Sequence, residues 1–341
     1  MTTLSGILIR VGLTCAMLAV GACAPRLQAP GPASPPVRPM LGEAALHMAD
    51  GTRLPLMVWR AEAPRAVILA LHGMNDYANA FAASAAWWAR EAGITVYAYD
   101  QRGFGRTEQR GVWPGSDRLI EDAGAAVTVI KARHRDLPVF LLGHSMGGAV
   151  ALAAVAEGVA RPDGVILAAP AVWGWSTLPF LYRASLWLAA HTLPWKTLSG
   201  GRAGVTPSDN IAMLRALSAD PLVIKETRID AAYGLVSVMD RGYEAARPLA
   251  VPVLLLYGLK DELVPEAPVR AVIGRLCPGH LDALIYEGSY HMLLRDLAAH
   301  TVRRDVAHWI DGSTGPGAKG SRGAGFAGTP ACPEAGAPSV P

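Results

Sequence analysis

The stretch Gly143-His144-Ser145-Met146-Gly147-Gly148 follows directly on an apolar run that ends at Leu142, and it precedes a small, apolar, helix-like run that begins at Ala149. A serine with a glycine two residues away on each side is typical of the sharp strand-to-helix turn that raises a nucleophilic hydroxyl clear of a sheet. The glycines leave room for the close packing that this turn requires. We therefore predict that Ser145 is a nucleophile at the carboxyl end of a buried strand.

Short apolar runs suited to strands buried on both faces recur along the chain, and helix-like segments separate most of them. This alternation predicts an α/β fold with a mostly parallel central sheet, helices on both faces and ligands at the carboxyl ends of the strands. An Asp50-Gly51 turn between two earlier runs predicts a β-hairpin ahead of the sheet. The buried runs cover residues 66–71, 94–99, 139–142, 164–168, 253–257 and 283–286. One face of a final helix is predicted from the spacing of Leu294, Leu297, Val302, Val306 and Trp309.

The long gap from Pro170 to Val251 contains no comparable strand run, and a stretch of this length needs structure of its own. Helical patterns such as residues 211–219 lie within it, so we predict a helical cap over the site at about residues 171–250. Its tryptophans either cover the site or fill the core of the cap itself. They are Trp173, Trp175, Trp187 and Trp195.

A serine becomes an effective nucleophile only when a base takes its proton and a third group orients that base. Asp261 lies in a loop after the run 253–257, and His291 lies in the loop after the run 283–286. The chain order serine, aspartate, histidine is the one expected of this fold, so we predict a triad of Ser145, Asp261 and His291. The rival acid is Glu262, and the rival bases are His144, His280, His300 and His308.

The reaction of a serine nucleophile also requires two backbone N–H donors for the oxyanion. Met146, the residue after the nucleophile, is predicted to provide the first. The second is expected from the loop His72-Gly73-Met74-Asn75-Asp76-Tyr77, with Met74 as the donor. No metal or organic cofactor is required by this chemistry, and no cluster of Cys, His or carboxylate ligands suggests one.

The first 23 residues are typical of an export signal. Arg10 precedes an apolar run that is too short to span a bilayer comfortably, and the segment ends in Gly21-Ala22-Cys23. This ending resembles a bacterial lipoprotein processing site, at which Cys23 takes the lipid. We therefore expect an exported, membrane-anchored lipoprotein facing the periplasm or cell envelope. Ordinary signal cleavage and a single membrane anchor are the alternatives.

The remaining composition sets the domain boundaries and excludes one class of partner. Residues 24–41 are predicted to be a proline-rich linker, residues 42–311 the α/β domain and residues 312–341 a disordered tail. The formal net charge of +3, with scattered basic residues, provides no electrostatic footprint for nucleic acid. Cys277 and Cys332 either form a disulfide in an oxidising compartment or are two free thiols.

Taken together, these motifs resemble those of the monoacylglycerol lipase and lysophospholipase group of α/β-hydrolases, also described as serine aminopeptidase-like. The resemblance covers about residues 42–311. It rests on His72-Gly73-Met74, the loop from Asp100 to Thr107, residues 143–148, Asp261 and His291, and the segment from Ser208 to Leu222 looks like the family's cap.

In that group the cap closes over an acyl-chain tunnel. The resemblance therefore implies a serine hydrolase that cleaves lipid-like carboxylic esters through an acyl-enzyme, with a small-molecule lipid-like substrate. A peptidase or amidase, a short-chain carboxylesterase with the same triad, and a non-catalytic envelope protein remain as alternatives. The Asp100 to Thr107 loop by itself is only a glycine-bearing turn, and no chemistry is assigned to it.

Overall fold

The computed structural model describes residues 24–199, 204–277 and 280–314 of the 341-residue chain. The predicted signal peptide with Cys23, the predicted tail beyond residue 314 and Cys332 lie outside these residues. Cys277 is disulfide-bonded, so the alternative of a free thiol is wrong for Cys277. Across the described ranges, no helix has both the length and the apolar character needed to cross a bilayer.

A mixed sheet forms the centre of the described structure. The strands, in chain order, are β1 (Met40–Leu41), β2 (Ala45–His47), β3 (Arg53–Trp59), β4 (Ala66–Leu71), β5 (Ile94–Tyr99), β6 (Val139–His144), β7 (Gly164–Ala168), β8 (Thr197–Ser199), β9 (Glu226–Arg228), β10 (Val253–Gly258) and β11 (Leu281–Tyr286). Nine of them form one sheet in the order β1–β2–β3–β5–β4–β6–β7–β10–β11. Neighbours from β5 to β11 pair in parallel, whereas β1, β2 and β3 join antiparallel at one edge.

Helices cover both faces of this sheet. Those that the structure describes are α1 (Ala82–Glu91), α2 (Ser116–Arg133), α3 (Met146–Ala156), α4 (Phe180–Thr192), α5 (Ile211–Ala219), α6 (Ile229–Ala245), α7 (Glu266–Leu276) and α8 (Ala299–Thr314). Successive side chains of a strand point to opposite faces of the sheet, and the side chains of β4 are distributed between two cores in this way. Val67, Leu69 and Leu71 join the core under α2, α3 and α7, whereas Ile68 and Ala70 join the core under α1 and α8.

The mostly parallel α/β sheet predicted from the sequence is confirmed. The predicted hairpin also forms, because β2 and β3 pair antiparallel around Gly51, whose φ is 80°. The final helix differs in its start: it begins at Ala299, so Leu297 lies in the preceding turn and is exposed. The backbone N–H of Leu297 donates to the Asp209 carboxylate, which holds this turn out of the helix.

The insertion predicted as a cap contains α4, α5, α6 and a two-stranded hairpin of β8 and β9. Helix α6 packs directly against α3, the helix that begins at Met146. The approach is close, because a side chain at Gly242 would lie within 3.0 Å of Ala149. The cap is therefore attached to the helix that carries the candidate nucleophile at its start.

The beginning of the described chain differs from the free linker that its proline content predicts. Residues 24–33, called here the N-terminal strap, are held on the body of the protein. The backbone N–H of Gln28 donates to the carbonyl of Trp113 at 2.9 Å, and that of Gly31 donates to the Asp50 carboxylate at 3.0 Å. The prolines cannot donate such bonds, but the residues between them can. A composition-based prediction misses this docking, because the acceptors lie far away in the sequence.

The turn after β6 leads to a first prediction. A methyl group at Gly147 would overlap the carbonyl of Leu71 on β4, which cannot move without displacing the sheet. We expect Gly147→Ala to lower the free energy of unfolding by about 1–3 kcal/mol, measured by urea denaturation. Gly274→Ala in α7 is the matched control, because open space surrounds that position, and it should be neutral or slightly stabilising. Equal stability of the two variants would contradict the packing argument.

Candidate active site

Ser145 occupies the turn between β6 and α3 with a φ of 54° and a ψ of −119°. Residues with side chains rarely adopt this conformation, so the surrounding backbone must hold it. The Ser145 N–H donates to the carbonyl of Ala168 on β7 at 3.0 Å, and the Ser145 carbonyl accepts from Gly148 at 2.8 Å and from Ala171 at 3.0 Å. The turn is thus bonded to the neighbouring strand, while Ser145 itself remains partly exposed.

Asp261 and His291 come together as a buried pair. His291 Nδ1 lies 2.8 Å from Asp261 Oδ2. The other carboxylate oxygen, Oδ1, accepts from the backbone N–H groups of Leu263 at 2.8 Å and Val264 at 2.9 Å. Because these donors stabilise the ionised carboxylate, Oδ2 accepts the Nδ1–H of His291. This bond selects the tautomer in which His291 Nε2 carries the free lone pair.

The rival residues lie elsewhere. Glu262 is exposed, and its Oε2 accepts a hydrogen bond from the backbone N–H of Thr206 at 2.7 Å. The competing histidines His280, His300 and His308 are all exposed as well. Among the acids and bases considered, Asp261 and His291 are the pair that shares a buried hydrogen bond.

His144 connects the nucleophile turn to the loop that carries His291. Its Nε2 lies 3.1 Å from the backbone carbonyl of His291, and the two imidazole centroids are 5.1 Å apart. His144 Nε2 therefore donates its proton to that carbonyl. The sequence analysis counted His144 only among the rival bases. The structure gives it a bridging role, because the residue after it is Ser145.

The loop after β4 lies beside the serine hydroxyl. A Cβ placed on Gly73 would lie 3.1 Å from Ser145 Cβ, which is tighter than most side-chain contacts, so a glycine lets this loop approach the serine closely. Met74 follows directly, and Asn75 then turns the chain with a φ of 65°. Within the described residues, the backbone N–H groups of Met74 and Met146 make no intramolecular hydrogen bond. Both predicted oxyanion donors are therefore available to a ligand.

The loop after β5, to which the sequence analysis assigned no chemistry, supports the Gly73 loop. The Gln101 N–H donates to His72 Nε2 at 2.9 Å, and the Gln101 side-chain amide donates to the His72 carbonyl at 2.8 Å. Asp100 accepts from the backbone N–H groups of Ala78 and Arg106 at 3.0 and 2.9 Å. The sequence carried one signal of this supporting role. Asp100 and Gln101 are polar residues that directly follow a fully buried strand, and buried polar groups require hydrogen-bond partners.

A small, partly open cavity lies beside Met74. Its wall is largely apolar, and both the sheet-side loops and the cap contribute to it. Its apolar lining residues include Phe104, Val112, Trp113, Ile224 and Ala231, and its polar lining residues are Asn75, Thr227 and Arg228. The cap is bonded to the loop after β4 here, because the Ile224 N–H donates to the Asn75 carbonyl at 2.9 Å. An apolar group bound in this cavity would lie next to Met74.

Two buried histidines at the site are neutral. Burial lowers the pKa of His144 to about 3, and a positive charge on nearby His291 would act in the same direction. Burial likewise lowers the pKa of His72, against the opposing effect of its hydrogen bond to the Gly73 carbonyl. Both rings therefore act near neutral pH as uncharged hydrogen-bonding groups that position loops.

Comparison with known proteins gives a consistent result. The family model described as "Serine aminopeptidase, S33" matches residues 62–298, a range that includes Ser145, Asp261 and His291. Monoacylglycerol lipase of Mycolicibacterium smegmatis is 29% identical over 267 residues, which are 76% of this chain and 93% of that protein. Monoglyceride lipase of Mus musculus is 29% identical over 272 residues, 77% of this chain and 88% of that protein.

The fold is also shared with solved structures. The crystal structure of a soluble variant of monoglyceride lipase from Saccharomyces cerevisiae, in complex with a substrate analog, matches with a TM-score of 0.67 and 18% identity. The match covers 85% of this chain and 100% of that one. At this identity the likeness establishes the fold alone.

Because His144 is buried and neutral, we predict that the free energy of unfolding depends on pH. The unfolded chain protonates this histidine near its ordinary pKa of 6.5, whereas the folded protein does so only near pH 3. The unfolded state therefore binds more protons in this window, so stability falls as the pH is lowered through it, by up to about 1.4 kcal/mol per pH unit. We expect His144→Gln to flatten the dependence of the unfolding free energy on pH, measured by urea denaturation from about pH 7.5 to 5. The exposed His308→Gln should retain the full slope, and an unchanged slope in His144→Gln would refute the assignment.

Proposed function

The chain belongs to the serine aminopeptidase S33 family of α/β-hydrolases, and from that membership we propose that it cleaves carboxylic esters of lipid-like substrates of the monoacylglycerol or lysophospholipid type. The observation that carries the proposal is the buried hydrogen bond between Asp261 and His291, with the backbone of His291 bonded to His144, the residue before Ser145. Nucleophilic acyl transfer requires a base held in one tautomer and an accessible serine, and Ser145 is strained and partly exposed.

In the first step, His291 Nε2 takes the proton of the Ser145 hydroxyl as Oγ attacks the ester carbonyl. Asp261 holds the imidazole orientation and stabilises the imidazolium that forms. His291 then returns the proton to the leaving alcohol as the carbon–oxygen bond of the ester breaks. The product of this step is an acyl group on Ser145 and a free alcohol.

The negative charge that develops on the carbonyl oxygen needs two donors that are already in position. The free N–H groups of Met74 and Met146 suit this task, because Gly73 lies beside the hydroxyl and Met146 follows it directly. In the second step water, deprotonated by His291, attacks the acyl-enzyme. Collapse of that intermediate releases the carboxylic acid and restores Ser145.

The lipid-like character of the substrate is supported by the cavity beside Met74. Phe104, Val112 and Trp113, together with Ile224, form an apolar wall against which a hydrocarbon group can pack. The two relatives described above are named as lipases of monoacylglycerols. A wall of this kind favours an acyl chain over a charged peptide segment.

Hydrolysis is tested with fluorophosphonate labelling and a panel of esters that ranges from short-chain p-nitrophenyl esters to long-chain monoacylglycerols and lysophospholipids. We expect labelling and turnover in the wild type and neither in Ser145→Ala. Asp261→Asn should reduce kcat by on the order of 10⁴-fold, because the wrong tautomer of His291 is then favoured. Glu262→Gln, adjacent but exposed, should retain the activity.

Labelling that persists in Ser145→Ala would remove the assignment of the nucleophile. Hydrolysis of acyl p-nitroanilides as fast as the matching esters would replace the ester hydrolase with an amidase. Preference for the shortest esters over long-chain monoacylglycerols would replace the lipid substrate with that of a short-chain carboxylesterase.

The mature chain is, on this proposal, an exported lipoprotein anchored to the envelope membrane through Cys23. The support is the sequence Gly21-Ala22-Cys23 after an apolar run. Acyl chains on a cysteine hold a protein on a membrane surface rather than through it. We expect an alkyne analogue of palmitate to label the wild type and not Cys23→Ala in growing cells. Equal labelling of the two would exclude Cys23 as the acylated residue.

A further inference from the structure

The N-terminal strap, residues 24–33, lies against a loop that forms one wall of the cavity beside Met74. This loop joins β5 to α2 and contains no helix or strand. Backbone groups that are not paired in a helix or strand need other partners, and the strap supplies several of them here. The loop residues that line the cavity are Gly103, Phe104, Gly111, Val112 and Trp113.

Gln28 makes most of the contact between the strap and this loop. Leu27 and Trp113 form a parallel β-bridge, and the Gln28 N–H donates to the Trp113 carbonyl at 2.9 Å. The Gln28 side-chain amide donates to the Val112 carbonyl at 3.0 Å and to the Gln109 carbonyl at 3.3 Å. Gln28 is itself buried. One residue of the strap therefore satisfies three carbonyls of the loop.

The loop folds closely around the Gln28 side chain. A Cβ placed on Gly103 would lie 2.6 Å from the Val112 carbonyl oxygen and 3.1 Å from Gln28 Nε2. Gly103 also has a φ of 84°, a conformation that residues with side chains rarely adopt. A glycine that lines the cavity therefore lies next to the buried amide of the strap.

The cap forms the other wall of the cavity, and the strap is bonded to it as well. The Arg26 N–H donates to the Asp230 carboxylate at 3.3 Å. That carboxylate is fully buried and accepts from Arg228 Nε at 2.9 Å. Arg228 lines the cavity, and so does Ala231, the residue after Asp230. Two strap residues, Arg26 and Gln28, thus bond to opposite walls.

Trp113 lies where the two walls meet. Its side chain is only 3% exposed, and a Cβ placed on Gly234 of α6 would lie 2.4 Å from the indole ring. The cap helix therefore packs directly on the ring, while the strap bonds to the backbone of the same residue. Because closely packed groups cannot move independently, displacement of the strap is expected to shift the loop relative to the cap.

We propose that the strap is a positioning element of the substrate site and that Gln28 is its specificity-determining residue. Because the strap bonds to both walls, it sets the distance between the loop and the cap, and hence how closely an apolar chain packs beside Met74. The inference rests on the proposed function, since the chain in question is the acyl group of an ester. It extends that function to residues that precede the family match, which begins at residue 62.

The strap is expected to act on substrate binding and not on the chemical step. Among the hydrogen bonds of the described residues, none joins residues 24–33 to Ser145, Asp261 or His291. Loss of contacts that the substrate makes equally in the ground state and the transition state raises KM and leaves kcat unchanged. The loss increases with the apolar area that the substrate buries, so it is larger for a long acyl chain than for a short one.

The test compares Gln28→Met with Leu27→Met in the hydrolysis of p-nitrophenyl acetate and of monomeric p-nitrophenyl decanoate. Methionine at position 28 retains the length of the side chain and the backbone N–H but removes both side-chain donations to the loop. Leu27 is 59% exposed, so its replacement leaves the β-bridge intact. We expect a several-fold higher KM for the decanoate in Gln28→Met, with unchanged kcat and unchanged acetate kinetics, and wild-type values in Leu27→Met.

Hydrogen exchange of the backbone amides gives a readout that does not depend on turnover. We expect residues 103–113 to exchange faster in Gln28→Met than in the wild type, because the loop has lost two of its partners. Unchanged exchange in this loop would overturn the positioning role. An unchanged KM for the decanoate, or an equal loss of activity on both esters, would overturn the role in specificity.

A second pair of variants tests the bond to the cap and does not depend on the folding of Gln28→Met. Arg26→Pro removes the N–H that donates to Asp230, whereas Arg26→Ala retains it. The Arg26 side chain is exposed, so the two variants differ mainly in this bond. We expect a raised KM for the decanoate in Arg26→Pro alone, and equal values in the two variants would contradict the role of the strap at the cap wall.

The same measurements separate this inference from the function on which it rests. If the wild type hydrolyses neither ester, the proposed function and the inference about the strap are both wrong. If the wild type hydrolyses both esters and Gln28→Met retains the wild-type KM for the decanoate, only the inference about the strap is wrong.

Discussion

The site depends on one constraint, the strained backbone of Ser145. A φ of 54° at a residue with a side chain is tolerated only because the neighbouring backbone is bonded to β7 and because Gly143 and Gly147 leave space that no side chain could share. The same close packing sets α3 against β4, and α3 in turn supports the cap through α6. The position of the hydroxyl and the attachment of the cap are thus consequences of one turn.

Hydrogen bonds of buried polar side chains hold the other loops at this edge of the sheet in place. His144 donates to the backbone of His291, and Gln101 clamps His72 through both a backbone and a side-chain bond. Asp261 receives two backbone N–H donors in addition to the imidazole. Such groups are costly to bury without partners, so each satisfied bond also fixes a geometry. The candidate site is therefore organised before any ligand binds.

The cap carries apolar residues on both its inner and its outer side. Its inner residues, such as Ile224, close over the cavity and bond to the loop after β4, whereas the outer side of α4 exposes Leu181 and Trp187 to solvent. The N-terminal strap bonds to the same part of the cap, because the Arg26 N–H donates to the Asp230 carboxylate.

The α/β sheet, its strand runs and the candidate triad could be predicted from the residues alone, because continuous apolar runs, glycine spacing and chain order can be read directly from the chain. Four features became visible only in the folded chain: residues 24–33 are docked, His144 bridges two loops, Gln101 supports the loop after β4, and Trp187 and Trp195 face outward. These features depend on partners tens to more than a hundred residues away, and no local pattern records which distant carbonyl or carboxylate a given N–H will meet.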